Sequence, residues 1–160
     1  TDRKVQLSGC TVGDPAYPQS LRQICDSPLI LYVKRELPQN IDYSLAVVGS
    51  HRPTRYREKL SYDIAYALTE NGLKIVSGGA HDIDTYPHQG ALDAGGHTVV
   101  VMRCGLGVIY PASNQQLFEK IVASGTLISE YSMTMPPRGS NFPQRNRLIS
   151  GLTLGTVVSV

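Results

Sequence analysis

Four runs of aliphatic and β-branched residues recur along the chain, and each is followed by glycine or small polar residues. They cover residues 45–48, 73–76, 98–101 and 126–129. With helical stretches between them, this spacing is typical of βαβ units. Because the runs are continuously apolar rather than alternating, they predict parallel strands that are covered on both faces. We therefore expect an α/β fold: a Rossmann-like, doubly wound, mainly parallel sheet with helices on both faces.

The first 42 residues have a different character from the rest. Prolines at positions 15, 18, 28 and 38 interrupt them, and residues 29–33 are the one stretch there that predicts a strand. We predict an N-terminal extension over 1–42, packed on a main domain that spans 43–160. A chain of 160 residues that is 41% hydrophobic and 18% charged fits a single globular unit.

The cysteines and the hydropathy of the chain limit the classes of protein to consider. Cys10, Cys25 and Cys104 are odd in number and far apart, which argues against a disulfide framework and against a CxxC metal site. No apolar run approaches the ~20 residues of a membrane helix. Residues 1–4 lack the apolar core of a signal peptide. We expect a cytoplasmic protein with no membrane partner.

A basic, acid-free segment follows the fourth run and carries the clearest sign of function. Residues 131–160 contain no Asp or Glu, so Arg138, Arg145 and Arg147 have no acidic neighbour there. Guanidinium groups bind phosphates in bidentate geometry, and an exposed ring such as Phe142 can stack a nucleic-acid base. The pattern predicts a contact with a nucleic-acid strand. The alternative is a helix start with solvated arginines, in which Phe142 is an apolar staple.

The turn after the first run is a second candidate. Residues 49–54 follow a strand and open a helix, where free N–H groups and the helix dipole favour a phosphate. Arg52 lies in this turn, and further basic residues follow it. Carboxyl ends of parallel strands share one edge of a sheet, so the two basic segments predict one groove. The alternative is a tight turn with exposed arginines. G-x-G-x-x-G and G-K-[ST] are both missing, which argues against an NAD enzyme and an ATPase.

The turns after the second and third runs supply glycines rather than catalytic groups. Gly78 and Gly79 allow close approach of a ligand to the backbone, and Gly105 shapes the site. A triad of Ser77, Asp84 and His88 is disfavoured because no G-x-S-x-G surrounds the serine and Asp84 is the expected N-cap. A metal site from His81 with Asp84 and His88 is disfavoured too. We expect no catalytic residue, metal or cofactor.

The combined motifs resemble the bacterial DNA-processing protein A (DprA/Smf) family. The resemblance rests on short blocks spread over nearly the whole chain, of which the most specific is the last: Tyr17-Pro18, Leu31-Tyr32, Val48-Gly49-Ser50, Pro53-Thr54, Tyr56, Ser77-Gly78, Ile83-Asp84, His88, Cys104-Gly105-Leu106, Tyr110-Pro111, Ser129-Glu130 and Asn141-Phe142-Pro143 with Arg145-Asn146-Arg147. The chain departs from the family at His51, where arginine is usual, at Pro87, where alanine is usual, and at Arg57, Asp82 and Arg103, where glycine is usual. It also stops where the family continues with another helix and strands, so we expect a fragment or a shortened member.

What the resemblance implies is an extended Rossmann-like domain that binds single-stranded DNA, forms a homodimer and helps load the RecA recombinase in natural transformation. The predicted DNA contacts are Ser50, His51, Arg52, Ser77, Gly78, Arg138, Asn141, Phe142, Arg145, Asn146 and Arg147, with backbone approach at Gly49, Gly79 and Gly105. Two alternatives remain open: a nucleoside-monophosphate phosphoribohydrolase and a small-nucleotide sensor. Against the first, the chain has no Pro-Gly-Gly-x-Gly-Thr motif.

Overall fold

The computed structural model describes residues 6–49, 52, 54–79 and 84–159. The predicted contacts Ser50 and His51 therefore lie outside the described residues, as do His81 and Asp82.

The described residues form one seven-stranded sheet with five α-helices. The strands are β1 (Leu7–Thr11), β2 (Ile30–Lys34), β3 (Ser44–Gly49), β4 (Lys74–Gly78), β5 (Thr98–Val101), β6 (Thr126–Ser129) and β7 (Thr156–Ser159). The helices are α1 (Gln19–Arg22), α2 (Arg55–Glu70), α3 (Thr85–Asp93), α4 (Gln115–Ser124) and α5 (Asn141–Gly151). All four strands of the main domain that the apolar runs predict are present.

The sheet order is β1-β2-β6-β5-β4-β3-β7. Strands β3 to β7 pair in parallel, whereas β2 is antiparallel to both β6 and β1. From β3 the chain steps outward to β6, and α5 then returns it to β7 on the other side of β3. Since crossovers between parallel strands are right-handed, this reversal places α5 on the face opposite α2, α3 and α4. The doubly wound prediction is confirmed.

Alternating strand residues fill the two layers of core. On one face, strand valines pack against α5 and α1, through Val76, Val99, Val101, Leu148, Ile149, Leu152, Tyr17 and Leu21. On the other face, the intervening residues pack against α2, α3 and α4, through Val47, Ile75, Ala65, Ala91, Val100, Phe118 and Ile121. Burial on both faces explains why the sequences of these strands are continuously apolar.

The N-terminal segment extends the sheet through β1 and β2 and also covers part of one face through Tyr17 and Leu21. Strand β2 pairs with β6, and β1 pairs with β2. In the second pair, Leu7 lies opposite Lys34. Residues 29–33 predict β2 to within one residue, but β1 is absent from the sequence prediction because its glycine and polar residues give no apolar run. The boundary at residue 42 stays a prediction. No helix among the described residues is long and apolar enough to cross a membrane.

Helix α2 lies rotated from the orientation that its apolar residues indicate. Thr54 is its N-cap and accepts a hydrogen bond from the Arg57 backbone N–H at 3.4 Å. In the sequence, Leu60, Ile64, Ala67 and Leu68 are spaced as one apolar helical face, but Ala67 is exposed and the buried positions are Ser61, Ala65 and Thr69. Small side chains face α3 because the two helices lie very close together.

Gly90 of α3 is the point of closest approach. A Cβ atom there would collide with the carbonyl oxygen of Tyr62 and lie 3.2 Å from its carbonyl carbon, both in the backbone of α2. We expect Gly90→Ala to lower the free energy of unfolding by about 1–3 kcal/mol, because the helices must separate. Urea denaturation would measure this loss.

Gly139→Ala is the matched control, since a Cβ there meets nothing within 4 Å. Its stability should stay within about 0.5 kcal/mol of the wild type. Equal stability of the two variants would contradict the close packing of α2 and α3.

Candidate nucleic-acid interface

The predicted contact residues gather at the carboxyl edge of the parallel strands. Strands β3 and β4 end there at Gly49 and Gly78, and β6 ends at Ser129. Helices α2, α3 and α5 each begin at this edge, because each follows a strand that ends there. The N-terminal ends of three helices and the turns before them therefore face the same side of the molecule, where unpaired backbone N–H groups favour an anion.

Arg52 and Arg138 are the exposed cations of this edge. Among the described residues, neither guanidinium takes part in an ion pair, and Arg55 at the start of α2 is exposed in the same way. Burial, and after it a hydrogen bond with Glu58, raise the pKa of Tyr86. Glu58 of α2 therefore lies near Tyr86 of α3.

Arg145 differs from its predicted role, because its side chain is only 2% exposed. Its guanidinium lies 3.6 Å from an Asp84 carboxylate oxygen and donates to the Val101 carbonyl at 3.3 Å. Burial lowers the pKa of Arg145, and the nearby Asp84 opposes this shift. In this conformation Arg145 ties α5 to the start of α3 and the end of β5 and presents almost no surface to a phosphate.

Arg147 is also paired within the chain. Its two terminal nitrogens donate to the two carboxylate oxygens of Glu130 at 2.7 and 2.6 Å, and its Nε lies 3.3 Å from an Asp26 carboxylate oxygen. The hydrogen bond with Glu130 raises the pKa of Arg147. The α5 arginines therefore lack acidic neighbours within residues 131–160 but have acidic partners in the fold. Glu130 directly precedes the acid-free segment, and Asp84 comes from a distant helix.

The polar and aromatic residues at the start of α5 divide between interior and surface. Asn141 is buried, and its Nδ2 donates to the Arg103 carbonyl at 3.0 Å, so it holds the backbone after β5. Asn146 is exposed and accepts a hydrogen bond from Arg145 Nε at 3.3 Å. Phe142 is half-buried, with the guanidinium carbons of Arg103 and Arg145 each 4.9 Å from its ring centre.

The space at the predicted glycines is filled by the protein itself. A Cβ at Gly78 would collide with the Arg145 guanidinium and the Asp84 carboxylate. At Gly79 it would lie 2.7 Å from Met102 Sδ, and at Gly105 it would collide with the backbone of residues 132 and 133. These glycines therefore permit packing inside the site. Gly49 is paired with Ser159 of β7 at the end of β3.

Ser77 and His88, two residues of the disfavoured catalytic triad, form hydrogen bonds with other groups and not with each other. The buried hydroxyl of Ser77 donates to the Val47 carbonyl at 2.5 Å. His88 Nε2 lies 2.9 Å from the Gly78 carbonyl and Nδ1 2.6 Å from Thr98 Oγ1. Burial lowers the pKa of His88 to about 4. The described part of the chain also contains no cluster of three metal-ligating side chains.

Sequence reasoning did not include Arg103 among the residues of the site. Arg103, which follows β5, has its guanidinium carbon 4.9 Å from the ring centre of Tyr110 as well as from that of Phe142. A cation placed directly after a strand of a parallel sheet is a signal for this edge. The departure from glycine at position 103 could also have pointed to it.

Proteins similar to this chain carry the names Smf and DNA processing protein. Protein Smf of Synechocystis sp. is 38% identical over 152 residues, which are 92% of this chain and 38% of the relative. DNA processing protein DprA of Streptococcus pneumoniae is 39% identical over 146 residues, 91% of this chain and 51% of the relative. The chain thus spans about half or less of the length of these relatives.

Two solved structures share the fold. The crystal structure of DprA from S. pneumoniae superposes with a TM-score of 0.89 at 36% identity, over 96% of this chain and 54% of that one. A structure of DNA processing protein A from Helicobacter pylori, described for its single-stranded DNA binding mode, superposes with a TM-score of 0.83 at 29% identity. The match covers 96% of this chain and 69% of that one. The model of the DNA recombination-mediator protein A family matches residues 8–159, and this chain belongs to that family.

Proposed function

We propose that this chain binds single-stranded DNA without strong sequence preference, protects incoming DNA and helps load the RecA recombinase in natural transformation and recombination. The observation that carries the proposal is the pair of exposed arginines, Arg52 and Arg138, at the carboxyl edge of the sheet without an ionic partner among the described residues. Membership of the recombination-mediator family and the single-stranded DNA binding of the H. pylori relative support it.

The site residues divide into two roles under this proposal. Arg52, Arg138 and Asn146 are exposed and are the contacts that reach the strand. Buried Arg145 and Asn141 position the start of α5, and Arg147 fixes α5 to Glu130 at the end of β6. A rigid scaffold with a few exposed cations fits a ligand whose repeating feature is the phosphate.

We further propose that the protein is not an enzyme, acts in the cytoplasm and forms a homodimer. The first point is supported by Ser77 and His88, whose polar atoms are both engaged in hydrogen bonds to the chain. Membership of the family supports the homodimer and the cytoplasmic location. Incubation with AMP tests the enzyme alternative, and release of ribose phosphate would refute our proposal.

The affinity for oligo-dT should fall steeply with salt, with a log–log slope of about −0.7 for each phosphate neutralised. Arg52→Ala and Arg138→Ala should each make the slope shallower by about that amount, because each removes one exposed cation. Fluorescence anisotropy with labelled oligo-dT at several salt concentrations measures both the affinity and the slope.

Lys120→Ala is the control, since Lys120 is exposed in the middle of α4 and is not part of the turns at the carboxyl edge. It removes the same charge and should leave the slope unchanged. A salt-independent affinity, or the same slope in all three variants, would refute the groove.

A further inference from the structure

The guanidinium of Arg103 stacks with two aromatic rings at the carboxyl edge of the sheet. Its central carbon lies 4.9 Å from the ring centre of Tyr110 and 4.9 Å from that of Phe142. Tyr110 is 37% exposed, and Phe142 and Arg103 are half-buried. Contact with the two rings restricts the orientation of the guanidinium.

The charge of Arg103 has no counterpart among the described residues. Arg145 and Arg147 each have a carboxylate within salt-bridge distance, but the ion pairs of the described chain include none with Arg103. Its Nε is buried and makes no hydrogen bond to the described residues. A half-buried guanidinium with unused donors is an incomplete site for an anion.

The backbone of Arg103 is firmly held. Its carbonyl accepts the hydrogen bond from Asn141 Nδ2 at 3.0 Å. The next carbonyl, that of Cys104, accepts from the Ser129 hydroxyl at 2.7 Å, and the Gly105 N–H donates to the Met135 carbonyl at 2.9 Å. Both the backbone and the plane of the side chain are therefore fixed before a ligand arrives, which lowers the entropic cost of binding.

We propose that Arg103 is a phosphate-binding residue that accepts one phosphodiester of the strand, and that Tyr110 and Phe142 orient it. The inference rests on the proposed function and adds a contact to the same edge. It also changes the role of Phe142, because the ring holds a guanidinium and does not serve as the platform for a base. The chemistry recognised is the phosphate, so the contact does not depend on base identity.

Two labelled probes of equal length test the proposal by anisotropy: oligo-dT and an abasic sugar-phosphate strand. Arg103→Ala should weaken binding of both strands by about tenfold, as expected for loss of a charge-assisted hydrogen bond. The salt slope should become shallower by about 0.7. Arg103→Lys should keep the slope but bind more weakly, since lysine keeps the charge without the planar fork. Tyr110→Ala should weaken the binding of both strands, because Arg103 then loses one of the two rings that orient it.

Arg22→Ala is the matched control. Arg22 also lies over a tyrosine ring, 5.9 Å from the centre of Tyr17, but it lines a cavity with Arg35 and Glu36 at the amino-terminal edge of β6. Binding of both strands should be unchanged. Thermal melting confirms that each variant is folded.

Unchanged or tighter binding by Arg103→Ala would overturn the inference, and tighter binding would mean that Arg103 competes with a base for Phe142. A loss confined to oligo-dT would also overturn it, because the contact would then involve the base. If the wild-type protein binds neither strand, the proposed function fails together with the inference.

Discussion

Replacing Arg145 with alanine should lower the free energy of unfolding by about 3–5 kcal/mol, the cost of breaking a buried ion pair by removing one partner. The side chain is 2% exposed, and it joins Asp84, the Val101 carbonyl and the Phe142 ring. Truncation takes away a positive partner of the Asp84 carboxylate and leaves a cavity under α5. Urea denaturation followed by circular dichroism measures the loss.

Two further variants test whether the loss of stability comes from the burial of the Arg145 ion pair. Arg138→Ala removes an exposed arginine from the preceding loop and should change stability by no more than about 0.5 kcal/mol. The double variant Arg145→Met with Asp84→Asn removes both charges while keeping most of the volume, and it should be more stable than Arg145→Ala. If Arg145→Ala is as stable as Arg138→Ala, the buried ion pair does not stabilise the fold.

Acidification should destabilise the protein between pH 6.5 and about 4 through His88. Burial is the main reason that its pKa falls from 6.5 to about 4, and the charge of Arg145 lowers it further, against the Gly78 carbonyl, which raises it. The unfolded chain therefore binds a proton in this range that the folded protein excludes. The stabilisation is fully present above pH 6.5 and is lost as the pH falls to about 4, a change of about 3 kcal/mol.

The measurement compares the free energy of unfolding of the wild type and of His88→Gln across this pH range. Glutamine does not ionise, so its curve should lack the His88 contribution while keeping that of the carboxylates. An NMR titration of the His88 ring gives the pKa directly. If the stability curves of the wild type and of His88→Gln are parallel, or if the ring titrates near 6.5, His88 does not make the folded protein less stable at low pH.

The hydrogen bonds of His88 also specify its tautomer. At neutral pH the ring carries one proton, and the Gly78 carbonyl can only accept, so the proton lies on Nε2. Nδ1 is then an acceptor, and the one proton of the Thr98 hydroxyl lies between Nδ1 at 2.6 Å and the Ile75 carbonyl at 3.0 Å. A histidine fixed in this way between β4 and β5 is a structural residue.

The strands of the central sheet could be predicted from the sequence because burial on both faces requires continuous runs of apolar residues. Residues 98–101 and 126–129 match β5 and β6 at both ends. Strand β1 has no such signal, since it is an edge strand with mostly exposed side chains. Its position depends on pairing with β2, which is a tertiary contact. The rotation of α2 likewise depends on the packing of α3 against it.

The candidate site was harder to predict because its charges are balanced over long sequence distances. An acid-free segment correctly indicated a basic edge, and Arg138 is exposed there. It could not reveal that Arg145 lies against Asp84, which comes from the start of α3. Which arginines remain available is decided by tertiary packing, and the stacking of Arg103 on two rings is of the same kind.

The lack of space at Gly78 has an evolutionary consequence. The Arg145 guanidinium and the Asp84 carboxylate both occupy the position where a side chain at residue 78 would begin. A mutation from glycine would therefore displace the Arg145 guanidinium and the Asp84 carboxylate from their contacts, and losing the arginine first removes a positive partner of Asp84. We expect these three positions to diverge together in homologues, so that the order in which their mutations arise determines which sequences are accessible.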